Sequence, residues 1–288
     1  MAEGIVAAVI EKGVYPREAI VVSDPVEARR QFFAERFGVA VTADNRQLVR
    51  DARRVLLAVK PQMFDAAAAE LADVVTGEHL FITIMAGKST ARVAAALAGK
   101  KAEEDAGRDS REAKSAGRDS RTSSARAGDG FVRVVRVMPN LPIRVGAGMA
   151  GICRGEHATA GDVEDVQRIL NAGGSSVVVS DETLMDAVTA VSGSGPAYFY
   201  YFVEAMVEGG KACGLTEGES LALAEYTCLG AARMMLETGE PPAELRAKVT
   251  SKGGTTFAAL ESMRQAGVDV AIREAVRAAF NRGRELGA

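Results

Sequence analysis

The sequence predicts a two-domain protein, with an α/β amino-terminal half built on a parallel sheet and a helical carboxy-terminal half. Three observations carry that prediction. Short β-branched runs alternate with helix-periodic stretches through the first half, the pattern of a parallel sheet covered on both faces. Residues 100–130, KKAEEDAGRDSREAKSAGRDSRTSSARAGDG, hold almost no large apolar side chain. Beyond residue 155 the apolar spacing becomes helical almost throughout.

Taken in order, Ala2 to Lys12 reads as a helix stopped by Gly13. Strands are expected at Ala19–Ser23, Val39–Val41, Arg54–Val59, His79–Ile84 and Val132–Met138, with helices at Pro25–Phe37 and Pro61–Val75 between them. In such sheets ligands bind outside the carboxyl ends of the strands. Ser23-Asp24-Pro25, Ala58-Val59-Lys60-Pro61 and Ile84-Met85-Ala86-Gly87 are therefore the segments to watch. The polar stretch at 100–130 repeats AGRDSR at a ten-residue offset and cannot bury enough surface to offset its ordering entropy. It is expected to be a disordered surface insertion.

Helices are then expected at Gly161–Ala172, Asp181–Val191, Pro196–Cys213, Thr216–Thr238, Pro242–Thr250, Gly253–Gln265 and Val268–Leu286. Thr216 with Glu219 three residues on forms a capping box. Pro196–Cys213 and Glu219–Glu237 are apolar nearly all round, so other helices must wrap them, and a buried homodimer or higher homo-oligomer is the natural source. The expected domains are 1–155, binding a dinucleotide, and 156–288, binding substrate and a second copy.

Composition narrows the function. With 35 basic and 38 acidic residues and a net charge of -3, there is no broad attraction to nucleic acid or an acidic membrane, so neither is an expected partner. No apolar run reaches the roughly 18 residues of a membrane span. The three cysteines, Cys153, Cys213 and Cys228, are odd in number and far apart, which suggests neither a disulfide framework nor a metal site and fits a reducing cytoplasm.

In a dinucleotide-binding unit a first strand leads to a glycine loop, whose amides and following helix hold the pyrophosphate. Ala2–Lys12 reads as that helix, and neither strand nor loop stands ahead of it in the sequence. The competing reading is a different fold that starts on a helix. If the first reading holds, two neighbouring strands are left with unpaired edges, and residues 1–288 are expected to bind dinucleotide weakly.

Two loops in the helical half do not look like packing material. AVSGSGPAYFYYF, from Ala190, places Ser192-Gly193-Ser194-Gly195 before Pro196, and VTSKGGTTFAAL, from Val249, again places hydroxyls and paired glycines before a helix. Each offers close backbone approach, free amides and hydroxyl donors at a positive helix end, which suits a small carboxylate.

Together with VSDP, AVKPQ, VVRVMPN, MDAVTAVSGSGPAYFYYFVEAM and ELRAKVTSKGGTTFAAL, these stretches resemble the pyrroline-5-carboxylate reductases over nearly the whole chain. The resemblance implies an α/β Rossmann-type N-terminal domain, here without its first strand and glycine loop, and an all-α C-terminal dimerisation domain. It also implies reduction of a cyclic imine to proline, with NADPH or NADH as cofactor. Carried over by residue, Ala58, Val59, Lys60, Pro61, Ile84, Met85 and Ala86 line the cofactor, and Asn45 meets its adenosine side. Thr256 lies by the ring nitrogen as the catalytic residue, and Gly253, Gly254 and Thr255 cradle the carboxylate.

Ser192, Ser194 and Ser251 complete the expected substrate contacts, and Asp24 stands where an acidic residue would accept from a ribose 2′-hydroxyl, with Arg29 and Arg30 near enough to offset it. Lys248 stands where the family offers an amide and Lys252 where it often has proline, which puts a polar cofactor contact at Lys248 in doubt. Neither His79, at the start of a strand, nor His157, in a polar loop, is a persuasive general acid, so a threonine hydroxyl or a water serves. Two other readings compete. A β-hydroxyacid dehydrogenase would need a lysine where Tyr198, Phe199, Tyr200 and Tyr201 stand. A non-catalytic dimeric homologue is the other.

Overall fold

A computed structural model describes residues 1–99 and 131–287; the insertion expected at 100–130 lies outside them. The chain forms two compact units, Met1–Gly193 with Arg282–Ala288, and Ser194–Asn281.

The first unit opens on α1 (Ala2–Glu11) and then alternates: β1 (Val21–Ser23), α2 (Glu27–Phe37), β2 (Ala40–Thr42), α3 (Asn45–Asp51), β3 (Arg54–Leu57), α4 (Phe64–Leu71), β4 (Leu80–Thr83) and α5 (Thr90–Leu97). After the undescribed residues come β5 (Arg133–Pro139), β6 (Gly148–Arg154), α6 (Ala160–Asn171), β7 (Gly174–Val179) and the single turn α7 (Met185–Val188). Each predicted strand is present: β1, β3 and β4 are shorter than expected by two residues, and β2 and β5 are shifted by one.

Two sheets result. β1 and β2 pair in parallel, and five strands follow in the order β3-β4-β5-β6-β7. Among the described residues β1 pairs only with β2, and β3 only with β4. Each therefore keeps one open edge among the described residues. Helix α1 serves both sheets. Its Ile5, Ala8 and Val9 join the core around Ile82, Val135 and Val137, while Val6 and Ile10 pack with Phe33, Val39 and Val22 over the small sheet.

The middle of the large sheet, β4 to β6, is buried on both faces. Strand alternation sends Leu80 and Ile82 towards α1 and α6 and Phe81 towards Phe64, Val93 and Leu97 of α4 and α5. The wholly parallel sheet expected from the alternation is corrected at β6, which runs antiparallel to β5. The link between them is one 3₁₀ segment, Leu141–Val145, too short for the crossover that parallel neighbours need. Neither β6 nor β7 was expected as a strand, because Gly148, Ala150 and Gly151 in one and Gly174 to Ser176 in the other dilute the β-branched signal. Their pairing carries the first unit past the expected boundary at 155 to Gly193.

The second unit holds α8 (Gly195–Ala212), α9 (Glu217–Thr238), α10 (Pro242–Lys248), α11 (Thr255–Gln265) and, as far as Asn281, α12 (Val268–Gly287), whose last turns belong to the first unit. The capping box is formed at the start of α9: the Thr216 hydroxyl accepts from the Glu219 amide, and the Glu219 carboxylate accepts from the Thr216 amide. Only Gly195, Val207, Ser220 and Ala224 of this unit are buried by the single chain.

Candidate functional site

The carboxyl ends of β1 to β4 present the loops that the sequence singled out. Ser23, the last residue of β1, donates from its hydroxyl to Asn45 Oδ1 at 2.8 Å. Asn45 opens α3 and donates from Nδ2 to Glu70 on α4 at 2.9 Å, so one amide joins the end of the small sheet to a helix of the large one. Asp24 accepts from the Val26 amide through Oδ1 at 2.9 Å, which leaves Oδ2 for a hydroxyl donor. The two arginines expected to offset it are both engaged. Arg29 reaches Glu3 at 3.7 Å and lies over the Phe32 ring, while Arg30 donates to the carbonyls of Asp24 and Pro25 at 2.7 and 3.0 Å.

After β3, Ala58, Val59 and Lys60 are exposed and Pro61 half-buried. After β4, Ile84 is half-buried and Ala86 exposed, but the Met85 side chain lies in the core with Phe64 and Phe81, so only its main chain can face a ligand. This donor set fits a dinucleotide: a carboxylate and a hydroxyl–amide pair for the ribose and adenine end, and open apolar loops for a nicotinamide.

Two features of the first unit were not legible in advance. Asn140, directly after β5, donates through Nδ2 to the Ser192 carbonyl at 3.2 Å and to its hydroxyl at 3.4 Å. Glu182 accepts from the Thr90 amide at 2.8 Å and hydroxyl at 2.6 Å, and from Arg136 at 3.1 Å. That carboxylate ties α5, which follows the Ile84–Ala86 loop, to β5 and to the segment leading to Ser192. The sequence signal for Asn140 was its place at the end of a strand. For Glu182 there was none, since its partners lie 92 and 46 residues away.

The helix expected at Asp181–Val191 is resolved into a 3₁₀ turn (Glu182–Leu184), α7 and a π-turn (Thr189–Gly193). The π-turn carries Ser192, half-buried, to the end of the first unit. In the second unit Ser194 caps α8 without a side-chain hydrogen bond.

The second loop is better defined. Gly253 has φ +71°, a left-handed conformation that glycine tolerates best, and a Cβ on Gly254 would stand 2.5 Å from Ser251 Oγ. The positive φ makes Gly253 the residue the tight turn into α11 depends on, and at Gly254 a Cβ would displace the Ser251 hydroxyl. Gly254 is the cap residue and gives no side-chain cap, so the amides of Thr255, Thr256 and Phe257 lack intrahelical partners and point out of the helix start. Thr256 is half-buried; Ser251 and Thr255 are exposed. Orphan amides beside hydroxyls at a positive helix end form a ready seat for a carboxylate.

The histidines are structural. His79 is buried, its Nδ1 meets the Thr76 amide at 2.9 Å and its Nε2 the Val49 carbonyl at 2.9 Å, while His157 stacks on Phe131 with ring centroids 4.4 Å apart. No group of three or more His, Cys, Asp or Glu among the described residues is arranged to hold a metal.

Comparison with known proteins fits this geometry. Residues 182–286 match the family description "Pyrroline-5-carboxylate reductase dimerisation", and residues 1–87 match "NADP oxidoreductase coenzyme F420-dependent". The pyrroline-5-carboxylate reductase of Synechocystis is 38% identical over 287 residues, which cover 100% of this chain and 95% of the relative. The chain belongs to the pyrroline-5-carboxylate reductase family. A reductase of Methanosarcina acetivorans is 36% identical over 100% of this chain and 94% of its own length. Among solved structures, a pyrroline-5-carboxylate reductase from Coxiella burnetii superposes with a TM-score of 0.85 at 33% identity, covering 100% of this chain and 95% of that one.

A Plasmodium falciparum pyrroline carboxylate reductase, solved with NADP bound, shares the fold at 22% identity and a TM-score of 0.78 over 99% of this chain and 94% of that one. Of the two departures from the family pattern, Lys248 is held in an ion pair with Glu240, and Lys252 is exposed.

Proposed function

We propose that this chain reduces the cyclic imine 1-pyrroline-5-carboxylate to L-proline, using NADPH or NADH. Membership of the reductase family supports the activity, and one observation carries the site: the uncapped start of α11, where the Gly253-Gly254 turn leaves three amides without intrahelical partners beside the residues Thr255 and Thr256. A five-membered ring bearing a carboxylate matches that donor set. The amides and Thr255 hold the carboxylate, and the hydroxyl oxygen of Thr256, one residue further into the helix, accepts from the N–H of the protonated ring nitrogen.

Reduction adds a hydride to the imine carbon and leaves the proton on nitrogen. A bound reduced nicotinamide supplies that hydride. The residues of the chain supply position and polarity: the loops at Ala58–Pro61 and Ile84–Ala86 orient the nicotinamide, Asn45 and Asp24 hold the ribose and adenine end, and Thr256 favours the protonated nitrogen. Positioning of two reactants accounts for most of the acceleration in such a site.

The helical unit makes the protein a homo-oligomer, and we propose a homodimer as its basic form. The three cysteines are free, and no described helix is long and apolar enough to cross a membrane; we place the protein in the cytoplasm.

The test is the loss of nicotinamide absorbance with the imine as substrate. Thr256→Val should lower kcat roughly 100-fold, the scale of a lost acid–base contact at the reacting atom, with the melting temperature little changed. Full turnover in that variant would remove Thr256 from the reaction.

A further inference from the structure

We propose that Asp24 makes the protein select NADH over NADPH. The inference rests on the reading above, in which a dinucleotide lies along the carboxyl ends of the strands of the first unit, and it names which of the two cofactors that site takes.

Asp24 directly follows β1, and its amide still donates to the Thr42 carbonyl at the end of β2 at 3.3 Å, so the ladder fixes its main chain. Its side chain is fixed as well, because Oδ1 accepts from the Val26 amide at 2.9 Å. The other oxygen, Oδ2, remains for a ligand, and a carboxylate can only accept. At the end of this strand in a dinucleotide-binding unit, an acidic residue meets the ribose 2′-hydroxyl. That hydroxyl has a proton to give. A 2′-phosphate presents acceptor oxygens and about two negative charges near neutral pH, so hydrogen bonding and charge both oppose it.

A phosphate would still be held if a cation stood ready, and three arginines lie near in the sequence. Arg30 is folded back onto the turn that carries Asp24, where Nη1 donates to the carbonyls of Asp24 and Pro25 at 2.7 and 3.0 Å. Arg29 lies with its guanidinium carbon 4.8 and 5.3 Å from the ring centroids of Phe32 and Phe33 and reaches Glu3 at 3.7 Å. Arg46 pairs with Asp73. Each is committed to groups of the protein itself. Beside them Asn45 accepts from the Ser23 hydroxyl at 2.8 Å and donates to Glu70 at 2.9 Å, which places a second carboxylate two hydrogen bonds from Ser23.

The experiment measures kcat/KM for NADH and for NADPH with the imine saturating, and separately the dissociation constant of each by its own fluorescence without the imine. NADH should be favoured about 10- to 100-fold in both measurements, the scale of a hydrogen bond to a charged group. Asp24→Asn keeps the shape and the acceptor for the Val26 amide but removes the charge. It should lower that preference roughly 10-fold or more, through KM and the dissociation constants more than through kcat. Added salt, which screens exposed charges, should narrow the preference of the unaltered protein and change that of Asp24→Asn less. Arg30→Ala should not cost NADPH more than NADH.

Both cofactors are compared in one preparation, so a partly misfolded variant leaves the ratio where it was. A ratio of unity or below in the unaltered protein overturns the inference and leaves the reductase reading standing. A preference for NADH that Asp24→Asn leaves intact removes Asp24 as its cause. A selective loss of NADPH in Arg30→Ala makes Arg30 a phosphate ligand and likewise overturns the inference. If the protein neither binds nor oxidises either cofactor, the reductase reading falls and takes this inference with it.

Discussion

In the sheet unit Phe81, Val93, Val135 and Ile152 are wholly enclosed by their own chain, whereas in the helical unit Tyr201, Tyr226 and Leu236 stand 75%, 76% and 84% exposed. Both regions are rich in apolar residues, and the secondary structure of both is regular. They differ in where the second layer comes from. The middle strands of the sheet are covered by helices that precede and follow them, so their burial is supplied by one chain. Helices α8 and α9 are apolar nearly all round, and one chain cannot wrap them. An exposed apolar surface of this extent marks an association site, and the match of residues 182–286 to a dimerisation family assigns it. The helical unit is thus part of a core that other copies complete, and its stability is expected to depend on chain concentration.

The sharpest way to break this comparison is to damage each half and ask whether concentration matters. Phe81→Ala should cost about 3–5 kcal/mol through the cavity it leaves, and raising the protein concentration should not repair it; chemical denaturation at two concentrations measures this. Tyr226→Asp changes a residue that the isolated chain already exposes, so a monomer would hardly notice. In the assembly it places a charge in an apolar contact, at a cost of about 3 kcal/mol. Light scattering should therefore show dissociation at concentrations where the unaltered protein stays associated. An unaltered oligomer in that variant would show that α9 is not a contact face.

Much of this was legible in the sequence, and the exceptions share a cause. β-branched runs such as Arg54–Leu57 and Leu80–Thr83, and caps such as Thr216 with Glu219, declare themselves locally. The strands β6 and β7 do not, because glycine, alanine and serine occupy positions where close packing matters more than β propensity. Gly151, for example, would clash with Val188 at 2.4 Å if it carried a Cβ. In the site, Asp24, Asn45 and the 251–256 loop were singled out by residue type and place in a motif, signals that are local in the sequence. Met85 was named with its neighbours, and its side chain turned out to be core. Asn140 and Glu182 were not named, since their meaning lies in partners far along the chain, and no local spacing encodes a bond to Ser192 or Thr90.

The central claim is that the start of α11 grips the carboxylate of the substrate and product. Its most direct test is a crystal structure of the protein with proline bound. The carboxylate is expected on the amides that follow Gly254, with the ring nitrogen beside the Thr256 hydroxyl. Proline seated clearly elsewhere, with the segment from Ser251 to Thr256 untouched, would contradict the account.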